Sequence, residues 1–221
     1  NNFLQKVASL CKDRGVVFIM DEMVSGFKWD IRGAHGFFGV KSDLSTWGKG
    51  IANGFSTCAL TGKAEIMELG GIRRQGADKL FLISSTHGAE TTGLAAMIST
   101  IEAFKNKSMI VNNWSTGKTL RIHLEEIIKK YNLGKSLQLT GYPCLFILNC
   151  RNSEGEIDDS FRTLMLQEMI ARGVLFQGLF FPTWSHKKKE LDQMVKAFDE
   201  SCAVYSKAIA KGSTNDFLIG R

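Results

Sequence analysis

The feature that most limits the fold is a five-residue apolar run, Val-Val-Phe-Ile-Met at 16–20, which stops at two carboxylates, Asp21 and Glu22. A short run that is apolar on both faces suits a strand of a parallel sheet covered on both sides. It follows an amphipathic stretch over 3–14, in which Phe3, Leu4, Val7, Leu10 and Cys11 form one stripe. Gly15 ends that helix. A helix followed by a buried strand is the rhythm of an α/β domain.

Further strands are expected over 44–47, 59–61 and 80–84, then helices over 89–104 and 108–131. After these the pattern changes. Residues 137–140 and 145–150 read as a hairpin-type strand pair, and 174–176 as a short strand. Residues 159–172 read as a helix with Phe161, Leu164, Met165 and Met169 on one face, and 187–211 as a closing helix. Helices segregated from a small sheet point to a separate α+β domain, giving domains over 1–109 and 110–221.

Composition narrows the function classes. The 15 Phe and 4 Trp among 221 residues suffice for a real core. The net charge of +6 comes from scattered residues, the densest run being Lys187, Lys188 and Lys189. No basic stripe accompanies a reading element, so no nucleic-acid partner is expected. No apolar run is long enough to span a bilayer, so no membrane partner is expected. The cysteines at 11, 58, 144, 150 and 202 are odd in number and lack Cys-x-x-Cys spacing. They read as reduced thiols of a cytoplasmic protein.

Three segments carry candidate chemistry. The first is Asp21–Glu22, just past the C-terminal end of the buried strand, the edge where open parallel sheets bind ligands. Alone, the pair reads equally well as the polar end of a strand. The second is Trp47-Gly-Lys-Gly-Ile-Ala-Asn-Gly54, in which Lys49 stands among glycines 48, 50 and 54. Glycine permits close approach of the backbone to a ligand and leaves the amine accessible. A solvated lysine in a turn has the same composition, and the order of a phosphate-binding loop is missing. The third is Ser84-Ser-Thr-His-Gly-Ala-Glu-Thr-Thr92, at the start of a helix. Its hydroxyls suit either an anion site or an ordinary cap.

Together the segments resemble the class III aminotransferases, in particular the glutamate-1-semialdehyde aminomutase-like branch. The resemblance rests on Asp-Glu-Met-Val-Ser-Gly-Phe at 21–27, Gly33-Ala34-His35, Phe38-Gly39-Val40, Asp43-Leu44, Gly48-Lys49, and Gly62 with Glu65-Ile66-Met67. The interval from Asp21 to Lys49 is 49 − 21 = 28 residues, which fits the family. The resemblance implies the fold type I of transferases dependent on pyridoxal 5′-phosphate (PLP). This chain would supply part of the large-domain mixed sheet and then the small C-terminal α+β domain. It implies that Lys49 forms a Schiff base with the cofactor and shuttles a proton. It implies that Asp21 faces the pyridine nitrogen, that Met23 lies against the ring, and that Thr86 binds the cofactor phosphate across a homodimer interface. The Asp21 carboxylate is expected to be buried, favouring a protonated ring nitrogen.

The implied substrates are a small-molecule amino donor and a carbonyl acceptor. An aminomutase, or a non-catalytic dimerising fragment, are the alternatives. After the lysine the family runs Gly-Gly-Gly-x-Pro, where this chain has Ala52-Asn53-Gly54-Phe55-Ser56. After Thr86 the usual Ser-Gly-Asn-Pro is Gly88-Ala89-Glu90-Thr91. These changes lie near the family's substrate site and leave the substrate unassigned. The N-terminal half of the family's chain is expected to be supplied in cis or by a separate polypeptide.

Overall fold

A computed structural model of the chain describes residues 2–71, 88 and 90–219. It divides into two compact units, Asn1–Ile110 and Val111–Arg221. In the first, helix α1 (Phe3–Asp13) ends where Gly15 takes φ +63° and the Val16 amide donates to the Cys11 carbonyl at 2.8 Å. Only glycine adopts that conformation cheaply, and the bond satisfies a carbonyl of the last helical turn. The amide of Val16 is thus spent on the helix end. That of Phe18 goes to the Asp43 carboxylate at 2.7 Å. The ladder therefore begins later than the apolar run, with β1 (Ile19–Asp21).

Strand β1 pairs in parallel with β2 (Leu44–Trp47), which pairs antiparallel with β3 (Ala59–Gly62), in the order β1-β2-β3. Helix α2 (Gly33–Phe37) lies between β1 and β2 in sequence, and α3 (Ala64–Met67) follows β3. Helix α4 (Thr91–Asn106) sends Ala96, Met97, Ile101 and Phe104 against the buried Phe27, Ile51 and Ala52. The expected strand over 80–84 lies outside the described residues. Among the described residues the 16–20 run is not covered on both faces: Val16, Val17 and Ile19 are 55%, 47% and 53% exposed, the open face left when a sheet strand lacks its neighbours. Among the described residues β1 has a neighbour on one edge only, and apolar composition cannot itself supply the missing cover.

The second unit is built on helix α5 (Met109–Lys130), most of which it contains, and on the hairpin β4 (Leu137–Tyr142) and β5 (Leu145–Cys150), joined through Pro143 and Cys144. Alternation buries Leu137 and Leu139 of β4 with Phe146, Leu148 and Cys150 of β5. Helices α6 (Asp159–Ala171) and α7 (Lys188–Lys211) close the core with Phe161, Leu164, Met165, Met169, Phe198 and Cys202. Asp158 caps α6 by accepting from the amides of Ser160 and Phe161. Tyr205 joins α7 to the end of β5: its hydroxyl donates to the Arg151 carbonyl at 2.7 Å and accepts from the Arg151 amide at 3.1 Å.

The third strand of this sheet, β6 (Leu179–Phe180), begins five residues after the start of the expected 174–176 strand. Gly173, at φ +76°, ends α6, and the Val174 amide donates back to the Met169 carbonyl at 3.0 Å. The apolar 174–176 segment is thus committed to a helix end, and pairing waits until Gly178 (φ +85°) has turned the chain.

Candidate active site

Asp21 ends β1 directly opposite Thr46 of β2. Paired residues of neighbouring strands point to the same face, so the two side chains meet. The Thr46 hydroxyl donates to Asp21 Oδ1 at 3.0 Å, and the Met23 amide donates to the same oxygen at 2.9 Å. Oδ2 accepts no hydrogen bond among the described residues. The Met23 amide, then the Thr46 hydroxyl, and with them the nearby Lys49 charge, outweigh what burial does and hold the carboxyl below the usual aspartate range. Asp21 itself is exposed, contrary to the expectation of a buried carboxylate. Its acidity comes from donors, not from surroundings that exclude water.

Lys49 follows β2 across one residue, Gly48. Gly48 is buried, and a Cβ there would run into the Met23 sulfur, so Met23 packs against the backbone just before the lysine. Lys49 opens a 3₁₀ turn, Lys49–Ile51, with a left-handed φ of +47°. That conformation is unfavourable for a side chain with a Cβ and persists only where neighbours impose it. Ile51 and Ala52, both buried against Phe27, supply the anchor. The lysine side chain is exposed on the rim of this packed turn. Asp21, Met23 and Lys49 are therefore neighbours. Thr86 lies outside the described residues.

Glu22 takes a separate path. Alternation turns it to the opposite face of the sheet from Asp21, where it is 1% exposed. Its Oε2 accepts from the Ser25 hydroxyl at 2.5 Å and the Ala34 amide at 3.0 Å. Its Oε1 accepts from the His35 amide at 2.9 Å and lies 2.9 Å from His35 Nδ1. Burial pushes this carboxyl up, but the Ser25 hydroxyl, the two amides and the His35 ring outweigh it and hold it below the usual glutamate range. The chain wraps closely here. A Cβ at Gly33 (φ +84°) would lie 2.6 Å from Glu22 Oε1 and 2.8 Å from the Trp47 ring. Glu22 is thus the hub that folds residues 22–35 over Trp47.

One residue with a part in this geometry, Thr46, is not singled out by the sequence, and a second, Glu22, has a different part from the one its pairing with Asp21 suggests. Thr46 is 25 residues from Asp21, and only strand register brings it there. In sequence Glu22 is half of a carboxylate pair, but the period of two in a strand sends the two neighbours to opposite faces.

The chain matches the family described as aminotransferase class-III over residues 1–201. The 3-aminobutyryl-CoA aminotransferase of Cloacimonas acidaminovorans (strain Evry) is 30% identical over 209 residues, covering 94% of this chain and 48% of that protein. Glutamate-1-semialdehyde 2,1-aminomutase 1 of Staphylococcus epidermidis is 29% identical over 215 residues, covering 91% and 48%. An omega-transaminase from Sphaerobacter thermophilus superposes with a TM-score of 0.80 at 22% identity, covering 92% of this chain and 48% of the other. The FumI protein of Sphingopyxis sp. MTA144, in its PLP internal aldimine form, superposes with a TM-score of 0.80 at 20% identity, covering 98% and 50%.

The fold is that of the fold type I, PLP-dependent transaminases. The chain belongs to the class-III aminotransferase family. It spans about half the length of the relatives it matches. Among the described residues no helix is long and apolar enough to cross a membrane.

Proposed function

We propose that this chain carries the cofactor-holding lysine and acid of a PLP-dependent aminotransferase, acting on a small-molecule amino donor and a carbonyl acceptor. One observation carries the reading: an aspartate with one oxygen accepting two hydrogen bonds and the other open stands beside a lysine on a strained, anchored turn. Bound PLP supplies an electron sink whose ring nitrogen must keep its proton.

The donor set of the chain suits that group. Asp21, held ionised by its own donors, offers Oδ2 to an N–H at the ring nitrogen. Met23 offers an apolar surface for a ring face beside Gly48. Lys49, whose amine is exposed, would hold the cofactor through its aldehyde and would serve as the group that takes and returns the proton on the substrate carbon. Thr86 is the proposed phosphate ligand, reaching the partner subunit's cofactor in a homodimer. On this reading residues 1–109 are the second half of the large domain and 110–221 the small C-terminal domain, in a cytoplasmic enzyme.

The test is chemical. The protein is incubated with PLP, reduced with borohydride and digested, and the modified peptide is sequenced. The label should fall on Lys49; a label on another lysine would sink the assignment. An aminomutase is the second reading, supported by relatives of nearly equal identity bearing that name. Incubation with amino donors and 2-oxoglutarate separates the two, because only the transaminase yields glutamate.

A further inference from the structure

We propose that Thr46 is a positioning residue: its hydroxyl, with the Met23 amide, saturates Asp21 Oδ1 and so fixes the carboxylate with Oδ2 as the oxygen offered to an incoming N–H donor. The inference rests on the assignment of Asp21 above and extends it to a residue across the sheet.

In the parallel β1–β2 pair Asp21 stands opposite Thr46, and the Glu22 amide donates to the Thr46 carbonyl at 2.9 Å. The Thr46 backbone is therefore held by the ladder on the same side as its hydroxyl bond to Asp21. A threonine on a strand is stiff at χ1, so this hydroxyl is aimed before any ligand arrives. The Met23 amide approaches the same oxygen from the turn that follows β1. That turn is closed by the Gly26 amide donating to the Glu22 carbonyl at 2.8 Å and by the Ser25 hydroxyl on the Glu22 carboxylate. Two donors from two separately anchored segments thus converge on one oxygen of an exposed carboxylate.

An exposed aspartate without such partners rotates about χ2 and presents either oxygen. A ligand that needs one orientation must then restrict the side chain at its own expense. Fixing Oδ1 beforehand removes that cost from binding, the general advantage of preorganisation. The same donors lower the carboxyl's affinity for a proton, so the charged form is the one presented.

Thr46→Val keeps the shape and β-branching and removes only the donor. Thr46→Ser keeps the donor and serves as the rescue. Two measurements on the full chain separate positioning from folding. The first needs no cofactor: the Asp21 carboxyl is titrated by carbon-13 NMR, with Asp21→Asn assigning the resonance. Thr46→Val should raise the Asp21 midpoint toward the ordinary aspartate value, and Thr46→Ser should restore it, with unchanged thermal melting. The second is the affinity for PLP. It should fall about tenfold in Thr46→Val, the scale of one hydrogen bond to a charged group, and recover in Thr46→Ser.

An Asp21 midpoint that does not move in Thr46→Val overturns the inference. So does a serine variant that behaves like the valine one. Failure of the wild-type protein to yield a Lys49 label after borohydride would instead count against the cofactor assignment, and the NMR titration would still decide the role of Thr46.

Discussion

Asp21 and Glu22 are chemically alike and adjacent, yet the strand sends them to different tasks. Asp21 stays at the surface with one open oxygen, while Glu22 is buried with both oxygens occupied. The motif was legible in the sequence because it is local: carboxylates after an apolar run, and a lysine among glycines. The division of labour was not, because it depends on which residues face Asp21 and Glu22 from 12 to 25 positions away. Glu22 yields a prediction with a definite sign. Its folded carboxyl lies below the ordinary glutamate value of 4.5. Its contribution to stability is therefore complete above about pH 4.5 and is lost as pH falls through the lower folded value. Glu22→Gln replaces one acceptor oxygen by an amide that faces donors, which should cost about 1–3 kcal/mol at pH 7. Urea denaturation of both proteins from pH 7 to pH 3 should show the gap closing below about pH 4.5. A gap that stays constant down to pH 3 would mean that the Glu22 carboxylate does not carry the bond network.

At the scale of elements, periodicity was informative wherever a face is covered. The stripe Phe161, Leu164, Met165 and Met169 of α6 is buried, and the β4–β5 hairpin alternates as its sequence does. Periodicity was misleading where backbone groups were already spent, as at 174–176, or where apolar residues lack cover, as at 16–20. One close approach, of α5 to the hairpin turn, was hidden for another reason, since it depends on a side chain that is absent. Gly117 lies in the middle of α5, where glycine costs about 1 kcal/mol of helix stability relative to alanine. A Cβ there would collide with the Pro143 carbonyl oxygen and lie 2.7 Å from its carbon, in the turn of the β4–β5 hairpin. The obstacle is backbone, so no rotamer change relieves it. Overpacking of this kind costs about 1–3 kcal/mol and should exceed the gain in propensity. Gly117→Ala should therefore melt below the wild type. Gly134→Ala is the control, because its Cβ would meet nothing within 4 Å and its φ is not positive. It should be neutral or slightly stabilising. A Gly117→Ala protein that melts higher than wild type would show that α5 does not rest on the hairpin turn.

For the whole molecule, the two units differ in what holds them together. The second has a continuous apolar cluster that includes Leu124, Phe146, Leu164, Phe198 and Tyr205, all essentially inaccessible to water. Burial there also pushes the Cys150 thiol up to about 12 and the Cys202 thiol upward, so these sulfurs act as packing rather than as nucleophiles. In the first unit the fully buried apolar cluster among the described residues is Phe27, Ile51 and Ala52, and the stretch leading into β1 shows Val16, Val17 and Ile19 to solvent. Burial of apolar surface is the main favourable term in folding, at about 25 cal/mol per Å². Local opening should therefore cost less in the first unit than in the second. The candidate site lies in the first unit, on the turns after β1 and β2. Amide hydrogen exchange followed by mass spectrometry tests the difference directly. Peptides from β4, β5, α6 and the centre of α7 should exchange slowest, and those from β1, β2 and the 48–54 turn faster. A ligand that binds only the folded site stabilises it by mass action. Adding PLP should therefore slow exchange first at 21–26 and 44–54, with little change across 137–150 and 159–171. Equal protection in both units would show that apolar burial does not set their relative stability. Protection by PLP confined to the second unit would show that the turns after β1 and β2 do not hold the cofactor.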